Sequence, residues 1–332
     1  MMNKTKIEWC DFTYNPVTGC RHKCEYCYAR RQAQRFCGDI RLNKTSDQLQ
    51  NAGNGLWILE EPFKNNQGKV IPLPVGFEPT LHRYRLPMPA QKKKPANIFV
   101  CSMADLFGKW VPDEWIKEVL TACAAAPWHN YLFLTKNPER YKHLMDVLPE
   151  EYGTGKLEFW WGVSSTDRGW MNMASEIMED AGSGAAKMFV SIEPLLDDVA
   201  PEINTDVFKW VIAGAQTGPG ARQNKPKREW IQNIVDKCRR TNTPLFMKDS
   251  LLEIWEDPLI QQFPKALQLK NDIIPHCDGC EHHKATERHY NSVKDVTTMN
   301  HFCTARTTHK RVPGRYARTS PPWCPKRGGG DQ

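Results

Sequence analysis

Three cysteines crowd into eight residues near the start of the chain: Cys20-Arg-His-Lys-Cys24-Glu-Tyr-Cys27. Their spacing, Cys-x3-Cys-x2-Cys, lets three thiolates reach one metal centre. A structural zinc site takes four protein ligands, whereas a site with three keeps an open position where a reactant can bind. A [4Fe–4S] cluster is normally held by four cysteines, so three would leave one iron open. The same residues admit a zinc knuckle completed by His22 or Cys37, or two structural cysteines beside an unrelated third. A second set lies far downstream. Cys277 and Cys280 open it, Cys303 follows, and Cys324 closes it in Pro-Pro-Trp-Cys-Pro. Four thiols in the pattern Cys-x2-Cys-x22-Cys-x20-Cys, with few large apolar residues between, predict a metal-stapled segment. His276, His282, His283 and His301 are alternative ligands there. Zinc and an auxiliary [4Fe–4S] cluster both fit.

Something must position the first three thiols. Six apolar, β-rich stretches run through 97–102, 131–136, 158–165, 187–194, 209–216 and 244–249, each ending in polar residues. Continuous apolar runs of this length, spaced by about 25–35 residues, read as buried parallel strands joined by crossovers. Helical patterns over 112–123 and 227–238 fit between them, with Cys123 and Cys238 on their buried faces. With a first strand near 6–13, the pattern gives six or seven βα units: an α/β fold, a partial TIM-like (βα) barrel over 1–263. Residues 38–96 break the rhythm and read as an insertion, either a lid or a surface excursion. Residues 264–332 form the Cys-rich extension. A Rossmann-like open sheet is the rival fold, but no Gly-x-Gly-x-x-Gly follows any strand.

The carboxyl ends of barrel strands are where chemistry is carried. Lys136, Glu193 and Lys248 stand at such ends and are candidate catalytic or substrate-binding residues. A lysine in a barrel mouth can bind carboxylate or phosphate, or carry protons; a solvated strand-end lysine is the plainer alternative. Glu193 precedes Pro194, which restricts its backbone.

The chain has 332 residues, 40% hydrophobic and 25% charged. No run of 18 apolar residues suggests a membrane span, and the first residues show no secretory h-region. Cysteines in such a chain point to metal before disulfides. A cytoplasmic protein is expected. The net charge is +7, unevenly spread. Arg21, Lys23, Arg30, Arg31 and Arg35 surround the first cysteines. From His301 onward seven cations face one acid, Asp331, with Tyr316 and Trp323 among them. Basic residues interleaved with aromatics suit phosphate-bearing partners and stacked bases; solubility and local pairing are the plainer account.

Cys20, Cys24 and Cys27, with Tyr26 before the third, resemble the cluster motif of the radical S-adenosylmethionine (SAM) superfamily. The resemblance implies a [4Fe–4S] cluster whose open iron binds SAM, and a 5′-deoxyadenosyl radical that takes a hydrogen atom from the substrate. It implies that Tyr26 packs near the adenine. Ser102 and Asp105, after the second strand, become candidates for the SAM amino group, although the usual Gly-Gly-Glu is absent there. Ser164 or Ser165 becomes a candidate for the ribose, and Glu193 for SAM or substrate. A reducing partner such as flavodoxin or ferredoxin is implied. The stretches 7–20, 133–141 and 191–196 resemble a radical SAM branch frequent in bacteriophage genomes, which suggests hypermodification of a nucleic-acid base, DNA ahead of RNA, in a bacterial host cytoplasm. Two rivals stand: a radical SAM enzyme acting on a peptide or small metabolite, and a zinc-stapled DNA-binding accessory protein without enzymatic activity.

Overall fold

The computed structural model describes residues 2–146, 148–149, 152, 157–181 and 187–269, and the backbone of five short strands beyond them. The chain forms two units, Met1–Leu267 and Gln268–Gln332. Among the described residues no helix is long and apolar enough to cross a membrane.

The first unit is built on seven parallel strands: β1 (Phe12–Tyr14), β2 (Asn97–Val100), β3 (Asn130–Thr135), β4 (Glu158–Ser165), β5 (Lys187–Ile192), β6 (Phe208–Ala213) and β7 (Leu245–Met247). They pair in chain order, and the short strand Asn3–Lys4 adds antiparallel to β1. The sheet curls into a half-barrel. Helices α1 (Tyr28–Phe36), α2 (Asp113–Ala124), α3 (Arg168–Ala181) and α4 (Arg228–Thr241) lie between strands. Pro112 caps α2 and two acids fill its first turn, a start favoured by the helix dipole. Asn242, left-handed at φ 54°, ends α4. Cys123 and Cys238 are buried on these helices.

Side chains alternate along each strand, so one face meets the helices and the other lines the barrel. The helix-facing side carries Ile98, Phe133, Trp161, Val163, Val190 and Ile192. The lining carries a ring of large residues: Phe99, Leu132, Trp160, Phe189, Trp210 and Phe246. Gly162 belongs to this lining because the Phe189 ring takes its space; a Cβ there would fall 2.3 Å from that ring.

The first strand differs from expectation. The segment around 6–11 turns instead of extending, with the Cys10 N–H donating to the Ile7 carbonyl at 3.4 Å. Trp9 is the reason. It is buried against Phe99, with ring centroids 4.7 Å apart, and plugs the aromatic ring from below the strands. Its burial shortens the strand to Phe12–Tyr14.

Residues 38–96 hold a small sheet of their own. Gln50–Asn51, Trp57–Leu59 and Thr80–His82 pair in that spatial order, and Val17–Thr18 completes it. Leu49, Trp57, Leu59, Phe63 and Val75 form its core. The sheet thus grips the chain two residues before Cys20.

Beyond the first unit, His283–Ala285, His301–Cys303 and Lys310–Val312 form one antiparallel sheet, and His289–Asn291 pairs with Val296–Thr298. Cys303 lies in the middle strand of the first of these. Cys277, Cys280 and Cys324, with His276 and His282, lie outside the described residues.

Candidate functional site

The cysteine loop leaves Val17–Thr18 and enters α1. Gly19 makes the turn at φ +87°, and a Cβ there would lie 2.2 Å from the Glu78 carbonyl oxygen. Only glycine tolerates both conditions. Its N–H donates to the Met103 carbonyl at 2.9 Å, and the Cys20 N–H donates to Phe77 at 3.2 Å. The loop is therefore pinned to the turn after β2 and to the small sheet. Cys27 caps α1, its sulfur accepting the Arg30 N–H at 3.3 Å. Tyr28 donates its hydroxyl to the Ser102 carbonyl at 2.8 Å.

Cys20, Cys24 and Cys27 are free of disulfides and partly exposed. Burial, joined by the charges of Asp105, Cys24 and Cys27, pushes the Cys20 thiol up to about 12. Among the described residues no three His, Cys, Asp or Glu side chains converge on one point that would hold a single ion. Nε2 of His22 lies 2.7 Å from Asp105, and the buried Cys37 thiol donates to the Gln34 carbonyl at 3.2 Å. A four-iron cluster distributes its cysteines over separate irons, so its thiols need not meet at one point. Cys20, Cys24 and Cys27 are the residues that could hold such a cluster, leaving one iron without a cysteine.

Asp105 is 5% exposed and all its acceptor capacity is used. One oxygen accepts from the Phe107 N–H at 3.1 Å and the Thr135 hydroxyl at 2.7 Å. The other accepts from the Lys136 N–H at 2.9 Å and from His22. It joins the cysteine loop, the turn after β2 and the end of β3. Ser102, also expected at a cofactor, gives its hydroxyl to the Asn15 side chain at 3.1 Å.

Strand register explains the rest. Ser164 pairs with Ser191, and Leu134 with Gly162, so Lys136, Ser164 and Ser191 occupy one level of the lining above the aromatic ring. Lys136 Nζ donates to Ser164 at 3.0 Å and to the Tyr26 hydroxyl at 3.2 Å. Ser165 is on the opposite face: it is fully buried and donates to the Asp167 carbonyl at 3.4 Å. Of the two serines, Ser164 alone stands with Lys136. One level higher are Glu193, Gly214 and Lys248. Lys248 Nζ donates to Glu193 at 2.6 Å, and the Ser191 hydroxyl donates to Glu193's other oxygen at 3.2 Å. Burial alone would lower the Lys248 pKa; the Glu193 carboxylate outweighs it and holds the ammonium above its ordinary value.

Several residues at the site carry no signal in the sequence. Glu8 accepts the Asp249 N–H at 2.7 Å and adds negative charge near Lys248. Asn15 orders the turn after β2 through Ser102 and Met103. In the sequence His22 shows only as a possible metal ligand. No local pattern marks these roles, because each depends on a partner dozens of residues away or more.

One family model, described as Protein of unknown function (DUF5131), matches residues 4–257. No curated protein matches the chain. Solved structures do. A spore photoproduct lyase complexed with dinucleoside spore photoproduct shares 11% identity, with 74% of this chain and 78% of that chain covered, at a TM-score of 0.44. A variant of that lyase with bound AdoMet and the same dinucleoside gives 11% identity, equal coverage and a TM-score of 0.45.

Proposed function

We propose that this chain, which belongs to the DUF5131 family, is a radical SAM enzyme that modifies a nucleic-acid base. The observation that carries the reading is the placement of three unpaired thiols. Cys20, Cys24 and Cys27 sit in a loop pinned beside the carboxyl end of β2, and Tyr26 within that loop touches Lys136 at the end of β3. Cys20, Cys24 and Cys27 would hold a [4Fe–4S] cluster. When bound, such a cluster with SAM supplies a radical able to abstract hydrogen from an unactivated C–H bond.

The chain's own residues then divide the work. Tyr26 and Ser164, linked through the Lys136 ammonium, present a ring and a hydroxyl to the cofactor's nucleoside. Lys136 carries positive charge into the mouth, where it suits carboxylate or phosphate. Glu193 and Lys248, paired above Ser191, form a polar wall that orients substrate and can hold or accept a proton. Ser102 keeps its carbonyl on Tyr28 and its hydroxyl on Asn15, fixing the approach to the loop. Asp105 positions the loop. The aromatic ring beneath closes the barrel to water. Cys277, Cys280, Cys303 and Cys324 are proposed to hold a second metal, an auxiliary cluster or zinc, in the basic tail. A flavodoxin- or ferredoxin-type protein would deliver electrons. A phage-encoded role in DNA hypermodification, in the host cytoplasm, is the proposed setting; the reaction class is left open among isomerisation, lysis and transfer.

Anaerobic purification tests the chemistry. Wild type should be brown, hold about four irons per cluster and cleave SAM on reduction. Cys24→Ala should lose SAM cleavage while keeping the tail metal. A colourless wild type carrying only zinc would end the proposal. Incubation with labelled SAM and DNA, followed by nucleoside mass analysis, tests the substrate.

A further inference from the structure

The five cations around the cysteine motif look alike in sequence but serve different ends. Arg21 donates to the carbonyls of Asn54 and Gly55, and Arg30 donates to Cys20 and lies over the Phe77 ring at 5.0 Å. Both are spent on the loop's own structure. Arg31 and Arg35 are exposed on α1, and among the described residues neither has an ion-pair partner.

Helix α1 buries only the small side chains Ala29 and Ala33 and contains no acid. Its outer face carries Tyr28 and Phe36, each 47% exposed, on one side, with Arg31 and Arg35 beside them. The Arg35 guanidinium lies over the Phe36 ring at 5.5 Å.

The far end of the barrel meets this face. A Cβ on Gly218, in the loop after β6, would lie 3.2 Å from the Arg31 guanidinium. That loop closes on itself. The Asn224 amide donates to Gln216 at 2.7 Å, and Gln216 donates to the Pro219 carbonyl at 2.6 Å. Its cations, Arg222 and Lys225, are exposed and have no ion-pair partner among the described residues. Because Tyr28 is tied to the turn after β2 and Arg31 abuts the loop after β6, α1 bridges the two rims of the half-barrel.

We infer that α1 and the loop after β6 form a single-stranded polynucleotide track. Arg31, Arg35, Arg222 and Lys225 follow its phosphates, and Tyr28 and Phe36 offer faces for unstacked bases. The inference rests on the nucleic-acid reading of the mouth. Its physical basis is the combination: cations alone attract any anion, whereas cations beside exposed rings suit phosphates and the bases they carry. A base to be modified must leave the duplex stack, flipped out or on a single strand, and exposed rings suit the single strand.

Fluorescence anisotropy with a labelled oligothymidylate and the full-length protein, read across a salt series, tests this. Wild type should bind at low salt and weaken as salt rises. The fourfold variant Arg31→Gln/Arg35→Gln/Arg222→Gln/Lys225→Gln should lose affinity, and its log–log salt slope should fall by about 0.7 per phosphate contact removed. Phe36→Ala should weaken binding about tenfold with the salt slope unchanged, because stacking carries no counterions. Iron content and the thermal melt serve as folding controls. Equal binding by wild type and the fourfold variant would overturn the track while leaving a nucleic-acid substrate intact. Polyglutamate bound as tightly as the oligonucleotide, with Phe36→Ala silent, would mark the surface as an acidic-protein dock and overturn it too. No binding by wild type at low salt would remove both the track and the nucleic-acid substrate, while iron content and SAM cleavage would still report on the radical chemistry.

Discussion

Lys248 reaches Glu193 across a strand that lies between them. They stand on the chain just past β7 and β5, and the intervening residue at that level, after β6, is Gly214. A Cβ on Gly214 would lie 3.1 Å from the Lys248 Cδ and 3.3 Å from the Glu193 Cγ. The 2.6 Å ion pair exists because that position has no side chain. The glycine thus does for the wall of the mouth what Gly162 does for the aromatic ring beneath it.

Gly214→Val should therefore break the pair from the middle. Lys248 would keep its burial and lose its carboxylate, at a cost of about 1–3 kcal/mol. Urea unfolding of the variant measures this. A midpoint equal to wild type would mean that the pair contributes nothing to the fold.

Lys136 joins the loop ring of Tyr26 to Ser164 on β4. Lys136→Met preserves much of its length and removes its donors and charge. Iron content should hold while SAM cleavage falls at least about tenfold, the scale of one charged hydrogen bond. Wild-type turnover in this variant would take Lys136 out of the site.

Gly19→Ala attacks the loop and leaves its thiols in place. The added methyl would meet the Glu78 carbonyl, and a φ of +87° disfavours any side chain. Reconstitution should yield clearly less iron than wild type, with the remainder of the first unit still folding cooperatively. Normal iron uptake would show that the loop can rearrange around the methyl.

His82 gives the fold an acid limit. It is fully buried, Nε2 lies 2.8 Å from the Thr18 hydroxyl, and Nδ1 has no partner among the described residues. Burial holds its pKa well below 6.5, so it stays neutral when folded. The unfolded chain takes up a proton near pH 6.5 that the folded chain refuses. The stabilisation is full above that pH and is lost as pH falls towards the folded pKa, by about 1.4 kcal/mol per pH unit. His129, fully buried and also held low, adds to the slope. Urea unfolding from about pH 7 to about pH 5 should show the loss, and His82→Gln should remove one proton from it. A variant slope equal to wild type would exonerate His82.

Much of this was legible in the chain. The runs at 97–102, 131–136 and 187–194 are apolar on both faces, which a parallel strand between helices and a barrel lining requires. Their polar last residues marked the mouth. The strand expected near 6–13 is only Phe12–Tyr14 in the fold, because Trp9 has the look of a strand residue while acting as a plug. Residues 38–96 read as an insertion, lid or surface excursion, because their strands are two or three residues long, too short for a period. Ser164 and Ser165 were inseparable until register put them on opposite faces. Asp105 showed itself as a polar residue after a strand; only its four donors reveal that its oxygens serve the loop.

What the chain determines alone is local: three thiols within one short loop, a glycine before them, and strands whose buried runs force a parallel sheet. Those follow from side-chain chemistry and from backbone needs that span a few residues. Which groups meet was decided by tertiary structure. Curling the sheet brings Lys248 to Glu193, His22 to Asp105, and Arg31 to the loop after β6. Each of those contacts depends on register and closure across separate strands, and no pattern within one segment encodes them.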